Sequence, residues 1–473
     1  MAGGQSTCLD QLQAEYGSTW DGPSDPANPF NWSPVRKITT GVIFSMSQLV
    51  TIMSASMLAA AENKIAQDLQ VSAATVQIIF STYFLGLGLG SFLIAALAEM
   101  NGRKSVWVAA CLWYILWSSV SPLGRSAALM VVGRFFAGTG GSVGITLVGP
   151  VMTDMYGASD RGKSLAVASV LTYLGPALGP LMGGVVTDLV GWQWLFWVTS
   201  IVCAIILCVG MVFIRESYAP VLLRRAAAKR GVTNTNTKHI RLLDHFRRPI
   251  ALLFRRPIVQ LLGLVAAVNF GIYALMLSTF ARLWMTSYHE SAMVSSLHYF
   301  AFAIGMTIAA QGGGYAMDTI YRVMQRRAGE RHGDDGASPS RPEYRVPFIV
   351  PGMLLVPAGL FWYAWTAESS APWPSVDIGA AVFTVGITVV NQGLMAYQLD
   401  EFAQYGASAN AATRLLSYIF AFVLPIFAPQ LYAVLGDAWG NSLLAFITIL
   451  LGWPIPWILW VWGERLRALG RAR

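Results

Sequence analysis

Apolar stretches long enough to cross a bilayer recur along almost the whole chain, separated by short charged or turn-rich segments. A spanning helix needs roughly 20 such residues, and in lipid only helices and closed barrels satisfy their own backbone groups. Runs bounded by charges or turn residues fall at about 38–61, 75–99, 106–122, 127–151, 164–187 and 193–214. Six more follow at about 258–281, 296–317, 347–367, 375–398, 409–435 and 440–462. The pattern predicts an all-α polytopic membrane protein with twelve transmembrane helices, and the even count puts both termini on one side. Charge agrees, because only 12% of the residues are charged, against about 25% in soluble domains.

Orientation follows from the cations. Lys and Arg resist translocation and collect in cytoplasmic loops. With the N-terminus inside, all 32 Lys and Arg fall on the inner side except Lys64, Arg125, Arg282 and the mid-span Arg134. The net charge of +8 is therefore a topological signature and implies no nucleic-acid partner. Residues 1–37 are polar and lack the apolar core of a signal peptide, so they read as a cytosolic tail. Asn31 in "NWS" matches a glycosylation acceptor but lies in the cytosol in this topology.

The organisation expected is a tail (1–37), a six-helix bundle (38–214), a basic linker (215–257), a second six-helix bundle (258–462) and a short cytosolic tail (463–473). Within the linker, "KHIRLLDHFRR" reads as a basic amphipathic helix with Ile240, Leu243 and Phe246 on one face, lying on the anionic cytoplasmic leaflet. The loop "RRAGERHGDDGASPSRPEYR" has a middle of disorder-prone composition. Cys8 lies in the tail and Cys111, Cys203 and Cys208 in apolar runs, which suggests neither a disulfide framework nor a metal site.

One stretch breaks the rules of an ordinary helix. "LTYLGPALGPLMGG" places Pro176 and Pro180 among four glycines inside a span. Such a helix survives only where neighbours satisfy the carbonyls freed by proline. Gly175, Gly179 and Gly183 recur every four residues and form a smooth stripe that admits a second helix closely. The stripe fits a packing motif and equally a deformable helix at a moving interface.

"GPALGPLMGG", Gly175 to Gly184, resembles the antiporter signature in span five of the major facilitator superfamily, where it is largely confined to exporters of the drug:proton antiporter branch. "AALAEMNGRK", Ala95 to Lys104, is similar to that superfamily's loop between spans two and three, with Glu99 where aspartate is usual. "GRFFAGTGG", Gly133 to Gly141, resembles its span-four motif. "NPFNWSPVRK", "RESYAPVLLRR", "RPEYR", "YQLDEF" and "SANAA" resemble the fungal twelve-span members, and "GYAMDTIYR" echoes the first loop motif in the second half through Gly314, Asp318 and Arg322. The resemblance implies a major facilitator fold with two pseudo-symmetric six-helix bundles. It also implies a cytoplasmic latch built from Glu99, Arg103, Lys104, Asp154, Asp318 and Arg322, and a gating role for Gly175, Pro176, Gly179, Pro180, Gly183 and Gly184.

An ionisable group in mid-span is costly unless it faces a cavity or a partner. Arg134 is such a group, read either as a proton-coupling residue, as the resemblance implies, or as a structural arginine bonded to neighbouring carbonyls. His298, alone near the outer surface, is a second coupling candidate, titrating near neutrality. Polar residues in the spans that line the cavity in this family are candidate substrate ligands: Gln48 and Thr51 in span one, Asn269 and Tyr273 in span seven, Asn391 and Gln392 in span ten. With no carboxylate deep in a span, such a pocket suits a neutral or weakly acidic organic molecule better than a polycation.

The reading is a monomeric efflux transporter in the plasma membrane, or alternatively the vacuolar membrane. It exports a small organic molecule, a fungal secondary metabolite, toxin or drug, in exchange for protons. Polyamine or organic-acid export and a non-transporting sensor remain the alternatives. No cofactor is expected. His239, His245 and His332 fall in cytoplasmic loops and His289 outside, with no paired acid, Cys cluster or phosphate loop, so the chain does not read as an enzyme.

Overall fold

The computed structural model describes residues 18–22, 24–156, 158–230, 242–332, 341–402 and 406–469, and these contain helices and no strand. The helices are α1 (Pro34–Ser56), α2 (Glu62–Leu69), α3 (Ala73–Asn101), α4 (Arg103–Val120), α5 (Ala127–Met155), α6 (Ala158–Val190), α7 (Gln193–Phe213) and α8 (Ala219–Lys229). They continue as α9 (Leu242–Arg255), α10 (Pro257–Ser287), α11 (Ala292–Leu297), α12 (Phe300–His332), α13 (Val346–Glu368), α14 (Trp373–Glu401), α15 (Gly406–Gly452) and α16 (Pro454–Ala468). Their starts follow local chemistry. Pro34, Pro257 and Pro454 occupy first-turn positions that need no N–H. Ser72 and Ser291 cap α3 and α11 by accepting from Thr75 N and Val294 N.

Nine stretches among the described residues are long and apolar enough to cross a membrane, the last of them running 60 residues from Ala409 to Ala468. The boundary expected between the last two spans, at 435–440, coincides with a kink. α15 runs through 435–440 and bends at Gly436, whose φ of +70° only glycine adopts readily; a second break at Trp453 precedes Pro454. Span eight is likewise preceded by a separate short helix, α11, and the chain restarts at Phe300. In the linker, α9 begins at Leu242 and continues to Arg255. Cys8, Ile240 and the middle of the 326–345 loop lie outside the described residues, as do the side chains of Leu243 and Phe246.

Packing sorts the helices into two groups. α1, α3, α4, α5, α6 and α7 pack on one another, chiefly as α3 on α5, α1 on α6 and α4 on α5. α10 and α12 to α15 do the same, chiefly as α13 on α14, α10 on α15 and α12 on α14. The groups meet where α15 lies along α3 and where α6 lies against α11 and α12. Trp107, Trp192 and Trp284 are wholly buried, while Leu112, Leu116, Ile205, Val212 and Phe427 are exposed on helix faces. That outer apolar surface suits lipid.

Candidate functional site

At the end of the molecule that carries the basic residues, the first latch is built around Gly102. This residue joins α3 to α4 with φ +96°, and a Cβ there would strike the Glu216 carboxylate. Glu216 accepts from the backbone N–H of Arg103 (2.8 Å) and of Lys104 (3.2 Å), satisfying the orphan donors of α4's first turn. The Arg103 guanidinium pairs with Asp154 at 3.3 Å and lies 4.3 Å over the Tyr218 ring. Lys104 Nζ donates to the carbonyls of Met211 and Ile214. Of the two latch carboxylates on this side, Asp154 pairs with Arg103, and Glu99 lies within electrostatic reach of Tyr218.

The second group carries a related network with different membership. Asp318 accepts from Arg345 at 3.2 Å, and Arg345 also reaches Asp400 at 2.9 Å. Arg322, the other latch residue expected here, donates to the Asp318 backbone carbonyl. Beside them Arg467 joins Glu343 at 2.8 Å and Glu401 at 3.2 Å. Glu216, Glu343, Arg345, Asp400 and Glu401 were not singled out from the sequence, although all lie in "RESYAPVLLRR", "RPEYR" and "YQLDEF".

Arg134 is buried in α5 and donates to the carbonyls of Ser54 (2.8 Å) in α1's last turn and Phe80 (3.4 Å) in α3, with its guanidinium 4.3 Å over the Tyr83 ring. It thereby ties three helices. The antiporter stretch is divided between two neighbours. Added Cβ atoms at Gly175, Gly179 and Gly183 would collide with Ile52, with Ser56 and Met53, and with Met57, so the stripe seals α6 onto α1 inside its own group. Gly184 alone of these faces the other group, where a Cβ would lie 2.6 Å from the Ala292 carbonyl of α11.

The six candidate substrate ligands occupy separate packing sites. Thr51 is buried with its hydroxyl 2.6 Å from the Gly141 carbonyl of α5, and half-buried Gln48 sits beside Gly144. Asn269 is buried with Nδ2 unpartnered, and Tyr273 packs on Phe270 and Phe302. Phe270 in turn meets Phe84 of α3 and Tyr418 of α15, forming an aromatic contact at the seam of the two groups. Asn391 is half-buried, and Gln392 donates weakly to Ala310 of α12. Arg414, which the sequence count had placed with the cytoplasmic cations, is exposed on α15, where its charge reaches Tyr173 of α6 and Tyr418.

At the opposite end, His298 does not stand alone. Its Nδ1 lies 2.8 Å from Asp377 and its Nε2 3.2 Å from Glu290, with the ring stacked on Trp284 at 3.6 Å. The sequence concealed this cluster because the two acids lie 79 and 8 positions away. No group of three or more potential metal ligands occurs among the described residues.

Comparison with known proteins places this architecture. The Major Facilitator Superfamily profile matches residues 44–425. The efflux pump vrtL of Penicillium aethiopicum is 34% identical over 96% of this chain and 90% of its own. The MFS-type transporter penM of Penicillium rubens is 33% identical over 95% of this chain and 89% of its own. Among solved structures, the xylose transporter XylE from E. coli, in a partially occluded inward open conformation, superposes with a TM-score of 0.60 at 13% identity, covering 89% of this chain and 97% of its own. The human organic anion transporter MFSD10 gives a TM-score of 0.58 at 15% identity, covering 89% of this chain and 99% of its own. A helical chain in two packed groups, matched along most of its length by this profile and by these relatives, belongs to the major facilitator superfamily.

Proposed function

We propose that this protein exports a small organic molecule from the cytosol by alternating access, in exchange for protons. In this reading it is a monomeric, multi-pass plasma-membrane protein with both termini and the basic end in the cytosol. Residues 38–214 and 258–462 are the two moving bundles and 215–257 the linker between them. The observation that carries the reading is the asymmetry of the seam. Gly184 meets the Ala292 carbonyl at the outer end, while Arg414 remains exposed on the inner part of α15, as in a transporter open to the cytosol. The full-length likeness to fungal efflux pumps supports the direction.

In this reading Arg414, exposed beside Tyr173 and Tyr418 where α6 and α15 approach, gives the pathway a cationic charge, which favours neutral or anionic cargo over polyamines. Arg134, held by two carbonyls, acts as a structural clamp. Organic-acid export is the second reading that Arg414 favours. An efflux assay tests both. Yeast cells expressing the protein are loaded with a hydrophobic toxin, an aromatic organic acid or spermidine, and loss of each is followed. Faster loss of the toxin or the acid is expected, and acceleration of spermidine alone would overturn the reading.

A further inference from the structure

At the outer end a cavity of about 220 Å³ lies between the two helix groups, lined on one side by Glu62, Asn63, Val76 and Gln77 and on the other by Thr279 and Arg282. Gln77 is buried, and its Nε2 donates to Glu62 Oε2 at 2.7 Å. The other oxygen of each group, Glu62 Oε1 and Gln77 Oε1, is sealed from solvent and has no donor. Two orphan acceptors on partners that already share one bond describe a specific deficit, a single missing hydrogen. A carboxylate only accepts and cannot supply it, whereas a carboxylic acid carries one O–H. A proton on Glu62 Oε1, donated to Gln77 Oε1, gives the pair the two bonds of an acid–amide dimer.

We infer that Glu62 and Gln77 form a proton-binding site, in which Glu62 is the neutral acid while the outer end is closed. Burial drives the Glu62 carboxyl well above the usual range, against the Gln77 bond and the Arg282 charge, which pull it down. The surrounding charges are few. Arg282 faces the pair across the cavity from α10, with Asp437 and Tyr432 of α15 within its reach. Tyr299 lies within reach of Glu62 from the α11–α12 junction. On α2 itself Lys64 and Asp68 pair with each other, Asp68 also accepting from Trp192. Glu290 and Asp377 are engaged on His298.

When the groups part, α10 and α15 leave one wall of the cavity and Glu62 meets water, where a carboxyl ionises near its ordinary value of about 4.3. Closing the outer end then takes up one proton, from carboxylate to acid, with no other bond changed. The place of this step in a transport cycle rests on the export reading above; the proton on Glu62 does not.

Infrared spectra of the full-length protein in lipid nanodiscs, titrated upward in pH without substrate, test the site directly. An acid carbonyl band is expected at neutral pH, lost as pH rises and absent in Glu62→Gln. Arg282→Met removes the cation that favours the carboxylate, so the loss moves to higher pH. Spectra unchanged by Glu62→Gln, or a titration indifferent to Arg282→Met, would overturn the proposal. Should liposomes show no proton movement with any cargo while the band behaves as described, the antiport reading fails and the proton site stands.

Discussion

Gly184 of α6 approaches the Ala292 carbonyl of α11 so closely that a methyl group there would sit 2.6 Å from the oxygen. The contact joins the two helix groups at the end opposite the basic latches, the outer end in the proposed orientation, and nothing larger than hydrogen fits it. In Gly184→Leu the outward-closed state loses this seat while helix packing within each group is untouched. The variant is expected to insert and fold normally, to label faster at an outer-cavity cysteine such as Asn63→Cys, and to export at least tenfold more slowly. Unchanged labelling in a well-expressed variant would contradict the seam.

Gly179→Leu should behave differently. Its neighbours are Ser56 and Met53 of the same group, so added bulk pries α6 from α1. Overpacking of this kind costs about 1–3 kcal/mol, and a lowered melting temperature in detergent is the expected signature.

Arg134 predicts a stability effect as well. Arg134→Ala removes the donor to the Ser54 carbonyl at the end of α1 and the longer bond to Phe80, and a buried acceptor left unpaired costs about 1–3 kcal/mol. Arg134→Lys, with fewer donors, should fall between the two. If Arg134→Ala keeps wild-type stability but loses all proton movement, the clamp assignment is wrong and direct coupling is restored.

The division between what was legible and what was not follows sequence distance. Apolar runs revealed the spans because lipid imposes a length on each helix separately, and "GPALGPLMGG" was visible because every member lies within one helix. Glu216 was obscure because it caps α4 from 113 positions away, and a carboxylate counted as linker charge carries no mark of its target. The stripe itself was legible, but which helix it meets was not, since spacing alone cannot separate α1 from α11. The bend at Gly436 was legible, because Gly436, Asp437, Gly440 and Asn441 interrupt the apolar run there.

Glu216→Ala tests the cap. The N–H groups of Arg103 and Lys104 lose their acceptor, as do those of Ser217 and Tyr218. A loss of about 1–3 kcal/mol is expected, together with proteolytic sensitivity between α3 and α4. Glu216→Gln, which keeps acceptor oxygens but not the charge, should recover part of it.

The pH dependence of outer closure has a defined sign. Glu62 is pushed upward by burial, so the closed state binds a proton more tightly than the open one. Its advantage is complete below the ordinary carboxyl range and is lost as pH rises through the raised closed-state value. Asn63→Cys should therefore label faster at alkaline pH, and Glu62→Gln should flatten the profile. A profile that survives Glu62→Gln assigns the dependence to another group, with the His298 cluster next in line.

The most direct test of export by proton exchange is proton flux in liposomes that contain the purified protein and a pH-sensitive dye. The account predicts that a hydrophobic toxin or aromatic acid moves protons against its own direction of travel, while spermidine moves none. Cargo that crosses the membrane with no accompanying change in internal pH would contradict it.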